Sequence, residues 1–214
     1  QDRRVLFGTE MAHRAAKPVT KHTVKGVVDT RRRVNELSGG TYLRQMMQDR
    51  DSVLERWSDR TQRPVRVWID RDSSLSGWHS SFLVRVQEAF ATWTDVGLPV
   101  HFVFVDDSAS AELRVRWTDQ LAESASGLTK WRARGHRWIV GADIALALRA
   151  TDGASQNGRG VRAIALHEIG HALGLGHSDG SADIMAPWVI ADSLSIRDRA
   201  TARLLYSLPP GKIE

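Results

Sequence analysis

The chain has 214 residues, of which 42% are hydrophobic, and a formal net charge of +5 at pH 7. Its apolar content and eight tryptophans exclude an intrinsically disordered chain, and its length suits either one domain with a sizeable core or one domain plus an appendage. It contains no cysteine, which excludes a disulfide framework, a thiolate metal site and a cysteine nucleophile.

The positive charge is concentrated at the start of the chain. Residues 1–33 hold nine Lys/Arg and three Asp/Glu, a balance of +6, so residues 34–214 sum to −1. Nucleic-acid binding through this basic tail would show a steep salt dependence, but the near-neutral body opposes that function. We therefore expect no nucleic-acid partner.

The sequence contains no apolar run long enough to cross a membrane. The longest, residues 138–148, is interrupted by Asp143 and is shorter than the roughly 18 residues that a helical span needs. The chain begins at Gln1 rather than methionine, which fits either a removed signal peptide or a trimmed sequence. We expect a monomer that is secreted, in the periplasm or outside the cell.

The first 60 residues divide into two parts. Residues 1–40 are basic and lack a sustained apolar period, so we expect a flexible or extended segment. Residues 41–60 predict an amphipathic helix, over 41–57, and a linker. The helix packs on the body of the domain or, alternatively, belongs to a prosegment near the cleft. Its apolar stripe consists of Leu43, Met46, Met47, Val53, Leu54 and Trp57.

We predict that residues 61–210 form the main domain. The predicted order is strand, helix, strand, strand, hairpin, helix and helix, which indicates an α+β fold with a mostly parallel, twisted five-stranded sheet and an antiparallel edge strand. Ser195 and Asp198 have the spacing of a capping box before the last helix. The strands are predicted at 65–69, 100–105, 113–117, 128–132 and 139–148, and the three helices at 78–96, around His167 and after Ser195.

A cluster of histidines follows the fifth strand. His167 and His171 are four residues apart, so on a helix both imidazoles leave the same face and can bind one zinc ion. Glu168 lies where its carboxylate reaches a water molecule at the metal. Gly174 can reverse the chain in the left-handed conformation and bring back His177 as a third ligand. Three protein ligands leave a fourth position open, as in catalytic zinc sites.

This pattern, HExxHxxGxxH, is the metzincin signature, and residues from about 64 to 208 resemble the matrixins, the matrix-metalloproteinase branch. Met185 lies at the distance of the family's Met-turn, and Ser178 directly follows the third histidine. Further similarity lies in Val67-Trp68-Ile69, in residues 89–93 and 112–115, and in the closing helix with Leu205-Tyr206.

The resemblance implies a zinc endopeptidase that acts on proteins or peptides, with one catalytic zinc. His167, His171 and His177 would hold the metal, Glu168 would act as general base, and Met185 would form a hydrophobic floor. Substrate would lie antiparallel to the edge strand at 128–132. The pocket after the scissile bond would be lined by Pro187, Trp188 and Val189, although Val189 replaces an expected tyrosine.

Latency cannot follow the family's usual cysteine ligand, because the chain has none. If residues 1–60 silence a zymogen, another ligand must serve, with Asp49, Asp51 and Asp59 as candidates, and a chain starting near Arg60 should be active. Calcium is left open, since Asp152 and Asn157 lie in a loop for which a solvent-exposed role is preferred.

A different class of function competes with the protease. The same fold can serve as a catalytically silent zinc-binding interaction module. The intact Glu168 opposes this alternative, because loss of that carboxylate is the simplest route to an inactive site.

Overall fold

The structure is a computed structural model that describes residues 30, 32–122, 125–150 and 152–213. Most of the segment expected to be flexible, residues 1–29 and 31, lies outside these ranges. Residues 32–37 form a short helix, α1, in place of the expected extended chain. A helix this short is marginal by itself, so the contact of buried Val34 with the core accounts for it.

The amphipathic helix is shorter than its apolar spacing predicts. Helix α2 spans Leu43–Asp49, and the chain then turns through Asp51 and Ser52, which have φ values of 48° and 62°. Strand β1, Val53–Leu54, follows and pairs antiparallel with the C-terminal strand β7, Gly211–Lys212. The helix prediction is therefore wrong beyond Asp49, because pairing with the far end of the chain determines the conformation there.

A five-stranded sheet forms the centre of the domain and confirms the predicted fold class. Its order is β3-β2-β4-β6-β5, with parallel pairing throughout except for the antiparallel pair of β5 and β6 at one edge. The strands are β2 Arg60–Ile69, β3 Val100–Phe104, β4 Leu113–Thr118, β5 Gly127–Arg134 and β6 Trp138–Ala147.

Strand β2 begins earlier than expected. Pro64 lies inside it, between Arg60 and Val65, where the register with β3 shifts. Proline has no backbone N–H to contribute to a ladder, so its place at an irregularity is the one that a strand tolerates.

Three longer helices complete the domain: α3 Ser81–Thr94, α4 Gly158–Ala172 and α5 Ile196–Ser207. The indole N–H of Trp93 in α3 donates to the carbonyl of Leu166 in α4 at 2.9 Å, which fixes the two helices together inside the core. The predicted capping box of Ser195 and Asp198 begins α5. No helix in the described ranges has the length and apolarity to span a bilayer.

Candidate active site

Helix α4 carries the first two histidines and ends just before the third. The side chain of Asn157 caps its start by accepting the N–H of Gly160 at 2.9 Å. The helix stops at Ala172, and Gly174 adopts a φ of 100°, which an L side chain rarely takes. A Cβ at Gly174 would also overlap the carbonyl oxygen of Glu55. Glycine is required at this reversal for both reasons.

The reversal brings His167, His171 and His177 together. Their nearest ligand atoms all lie within 4.8 Å of one another. The rings of His167 and His171 are buried, whereas His177 is partly exposed. The sequence prediction placed these three side chains in one site, and the structure places them in one cluster.

Hydrogen bonds to backbone carbonyls orient two of the imidazoles. His167 Nδ1 lies 2.7 Å from the oxygen of Ile184, and His171 Nδ1 lies 2.9 Å from that of Leu175. A carbonyl oxygen only accepts, so both Nδ1 atoms carry the proton and both Nε2 atoms present a lone pair. The two Nε2 atoms lie 3.0 Å apart, an arrangement of facing lone pairs that a bound cation would satisfy.

The electrostatics of the cluster favour the neutral imidazoles that a metal needs. Burial lowers the pKa of His167 and of His177 to about 4, and the pKa of His171 falls well below its usual value for the same reason. The neighbouring histidines and Arg50 lower the pKa of His171 further. At neutral pH the cluster therefore offers uncharged nitrogens, and this donor set fits zinc.

Glu168 directly follows His167 in helix α4, and its side chain is buried. Its Oε2 accepts a hydrogen bond of 2.6 Å from the hydroxyl of Thr129 on β5. Burial raises the pKa of Glu168 to about 7, and the hydrogen bond from Thr129 opposes that shift. A carboxyl group that titrates near neutral pH is suited to accept and return a proton.

Comparison with known proteins decides the family. The model of the matrixin family, Peptidase_M10, matches residues 79–207, which include the histidine cluster, Glu168 and Met185. This chain belongs to the matrixin family. A metalloendoproteinase, 1-MMP of Arabidopsis thaliana, is 31% identical over 117 residues, which cover 47% of this chain and 30% of the relative. The chain therefore spans less than a third of that curated relative.

The segment of the predicted Met-turn packs directly against helix α4. Met185 is fully buried, and a Cβ at Gly170 would overlap its sulfur atom. The carbonyl of Met185 accepts the N–H of Ser178 at 2.8 Å, and the N–H of Ile184 donates to Asp198 at 2.8 Å. These bonds fix the carbonyl of Ile184, which in turn orients His167.

Two further residues of the matrixin site were missed by the sequence analysis. Thr129 contacts Glu168, and Gly127 leaves room for it, because a Cβ there would overlap the Glu168 carboxylate. The predicted strand at 128–132 indicates that residues 129 and 131 share one face of the sheet, because side chains alternate along a strand. Which helix residue meets that face depends on how α4 docks on the sheet.

The other predicted positions are less closely tied to the cluster. Pro187 and Trp188 are exposed, with Trp188 62% accessible, while Val189 packs partly against the core. Their place in a substrate pocket stays a prediction. Asp152 accepts the N–H of Ala154 at 2.9 Å, and Asn157 caps α4, so both side-chain oxygens have backbone partners. Calcium binding stays untested.

The carboxylates considered for latency are not part of the metal-binding group found in the described residues, which consists of the three histidines. Asp59 instead accepts hydrogen bonds from the backbone N–H and the hydroxyl of Thr61, at 2.9 and 2.7 Å. Asp49 lies close enough to His177 for its charge to raise the pKa of that imidazole, against the larger lowering by burial. A role of Asp49, Asp51 or Asp59 in latency stays a prediction.

Proposed function

We propose that this matrixin is a zinc endopeptidase that hydrolyses peptide bonds with Glu168 as general base. One observation carries the proposal: two buried imidazoles and one partly exposed imidazole converge, all with lowered pKa values, and the residue after His167 carries a buried, hydrogen-bonded carboxyl group whose pKa burial raises to about 7. His167, His171 and His177 would hold the metal. When bound there, zinc supplies Lewis acidity for the carbonyl and for the attacking water.

The protein's own groups would move the proton and place the substrate. Glu168 accepts a proton from the attacking water and returns it to the nitrogen of the leaving amine. The Thr129 hydroxyl holds the Oε2 side of that carboxylate, so the other oxygen is available for proton transfer. The buried surroundings strengthen both electrostatic interactions because little water screens them.

Strand β5 is the proposed binding edge for the substrate backbone. Among the described residues it is the last strand of the sheet and pairs with β6 on one side only. An extended peptide can add to such an edge through main-chain hydrogen bonds. Because Thr129 of β5 touches Glu168, a peptide on this edge would pass close to the base. Pro187, Trp188 and Val189 would line the pocket on the leaving-group side.

We also propose where the protein acts and how its activity is controlled. A secreted protease, acting on proteins outside the cell, agrees with the matrixin family, and synthesis as a zymogen would protect the producing cell. The competing function, a silent zinc-binding interaction module, has no specific observation in its favour because Glu168 is present and well placed.

The decisive experiment measures cleavage of casein, an unstructured protein, by the full chain and by Glu168→Ala at equal zinc content. We expect cleavage by the full chain and a loss of about 10²–10⁴-fold in the variant, the usual contribution of a positioned acid–base group. Both proteins should bind one zinc. Zinc binding without cleavage of casein or other varied peptides would favour the silent module.

A further inference from the structure

The segment 42–57 lies directly against the end of the active-site helix. The indole N–H of Trp57 donates to the carbonyl of Ala172 at 2.8 Å. Met46 packs so closely on Gly176 that a Cβ there would come within 3.0 Å of the methionine Cγ. These contacts reach the residues on either side of the Gly174 reversal, where His177 is brought back to the cluster.

Arg50 makes the central contact of this segment. Its Nη1 donates to the carbonyl of Gly174 at 2.8 Å, and its Nη2 donates to that of Leu175 at 2.9 Å. These carbonyls follow a helix C-terminus, where a cation is electrostatically favoured. Burial lowers the pKa of Arg50 to about 10, so the guanidinium keeps its charge at neutral pH.

The carbonyl of Leu175 links Arg50 to a histidine of the cluster. It accepts from Arg50 and also lies 2.9 Å from Nδ1 of His171, the contact that sets the tautomer of that imidazole. Arg50 is therefore one carbonyl group away from the imidazole of His171, whose other nitrogen, Nε2, faces the cluster. Fixing this carbonyl fixes the ring of His171, and it also fixes the peptide that leads to His177 two residues later.

Arg50 also connects this turn to the edge strand. Its guanidinium lies over the ring of Trp131 on β5, 4.8 Å from the ring centre. The indole N–H of Trp131 donates to Glu55 at 2.8 Å, so both the arginine and the aromatic ring are held by segment 42–57. The turn before His177 and the strand proposed to bind substrate thus have one common support.

We propose that Arg50 is a positioning residue of the metal centre, and that segment 42–57 is part of the catalytic domain rather than a removable prosegment. This inference rests on the proposed function for its biological meaning. Its physical content is that the bidentate contact of Arg50 with the Gly174–Leu175 turn holds His171 and His177 in the geometry that binds zinc.

The test compares Arg50→Met and Arg50→Lys with the matched variant Arg44→Met in the full chain. Arg44 lies in helix α2, which ends just before Arg50, but it is exposed and donates to the carbonyl of Asn35 at 3.0 Å. Zinc affinity would be measured by competition with a chelator. The visible spectrum of the Co²⁺-loaded protein would report the ligand geometry independently of activity.

We expect Arg50→Met to weaken zinc binding about tenfold and to change the cobalt spectrum, because outer partners of metal ligands have effects of about this size. Arg50→Lys, which keeps the charge and one donor, should recover part of the loss. Arg44→Met should match the parent protein. Since neither readout requires peptide cleavage, these outcomes stand even if casein is not cut and the proposed function fails.

Two results would overturn the inference. One is an Arg50→Met protein whose zinc affinity and cobalt spectrum equal those of the parent. The other is an Arg50→Met protein that does not fold, together with an Arg50→Lys protein that folds and binds zinc with parental affinity and spectrum. In that case arginine would contribute to stability alone, through its charge, and not to the geometry of the ligands.

Discussion

Helix α4, which carries the histidine cluster, and segment 42–57 lie against each other, but their contacts are organised differently. The residues of α4 and its turn that form the cluster fall within positions 167–177, so the helix and one reversal are enough to bring them together. Segment 42–57 is held instead by long-range hydrogen bonds to partners 76 or more positions away, as in the contacts of Glu55 with Trp131 and of Trp57 with Ala172. The residues of the cluster are thus close together in the sequence, whereas the segment that packs against them, 42–57, is far from them in the sequence.

This comparison predicts that deleting segment 42–57 has the largest effect on the stability of the protein. A chain beginning at Arg60 loses four fully buried side chains of the core, Leu43, Met46, Leu54 and Trp57. At about 1.5–3 kcal/mol for each buried apolar side chain, the loss is on the order of 6–12 kcal/mol. That is comparable to the whole stability of a typical domain, so we expect this chain not to fold.

Near-UV circular dichroism and thermal unfolding of the chain from Arg60 would check this expectation, with the full chain as control. A cooperative transition and parental zinc affinity in the shortened protein would break the comparison. They would support the alternative interpretation of the sequence, in which residues 1–60 are a prosegment.

The contact between the two regions at Gly174 predicts a smaller effect. In Gly174→Ala, the side chain would occupy a positive φ and would also overlap the carbonyl of Glu55. Gly153 is a matched control because its φ is 84° and no atom lies within 4 Å of its Cβ position. We expect Gly153→Ala to cost about 1–2 kcal/mol, from backbone conformation alone, and Gly174→Ala distinctly more.

Denaturant unfolding of the two alanine variants measures this difference, and chelator competition shows whether zinc affinity follows it. Equal destabilisation of the two proteins would mean that the backbone at Glu55 can shift away from the added Cβ of residue 174 without a loss of stability. The close packing of segment 42–57 on the turn would then be unimportant for stability.

The smallest predicted effect concerns the edge strand. Thr129→Val removes the hydroxyl that holds the Glu168 carboxyl group, a hydrogen bond worth about 1.5 kcal/mol because the acceptor is only partly ionised near neutral pH. We expect kcat/KM for casein to fall about tenfold while zinc content stays unchanged. Thr129→Ser, which keeps the hydroxyl, should retain most of the activity. Parental activity in the valine variant would show that packing around Gly127 alone positions Glu168.

Helix α2 and strand β1 show why part of the fold escaped the sequence analysis. The apolar residues from Leu43 to Trp57 keep a helical spacing, and this spacing predicted one helix. Yet Val53–Leu54 pairs with Gly211–Lys212, at the opposite end of the chain. A periodicity records which side chains are buried, but not which backbone groups find a partner in a distant strand.

The sequence by itself determined the family, the order along the chain of the five strands of the main sheet, and the identity of the clustered histidines. Each of these depends on short-range spacing: alternation in strands, 3.6-residue periodicity in helices, and two histidines one turn apart. Tertiary structure alone decided that Thr129 and Gly127 meet Glu168, and that Arg50 meets the Gly174–Leu175 turn. The physical reason is that such contacts depend on how separate elements dock, which local spacing does not specify.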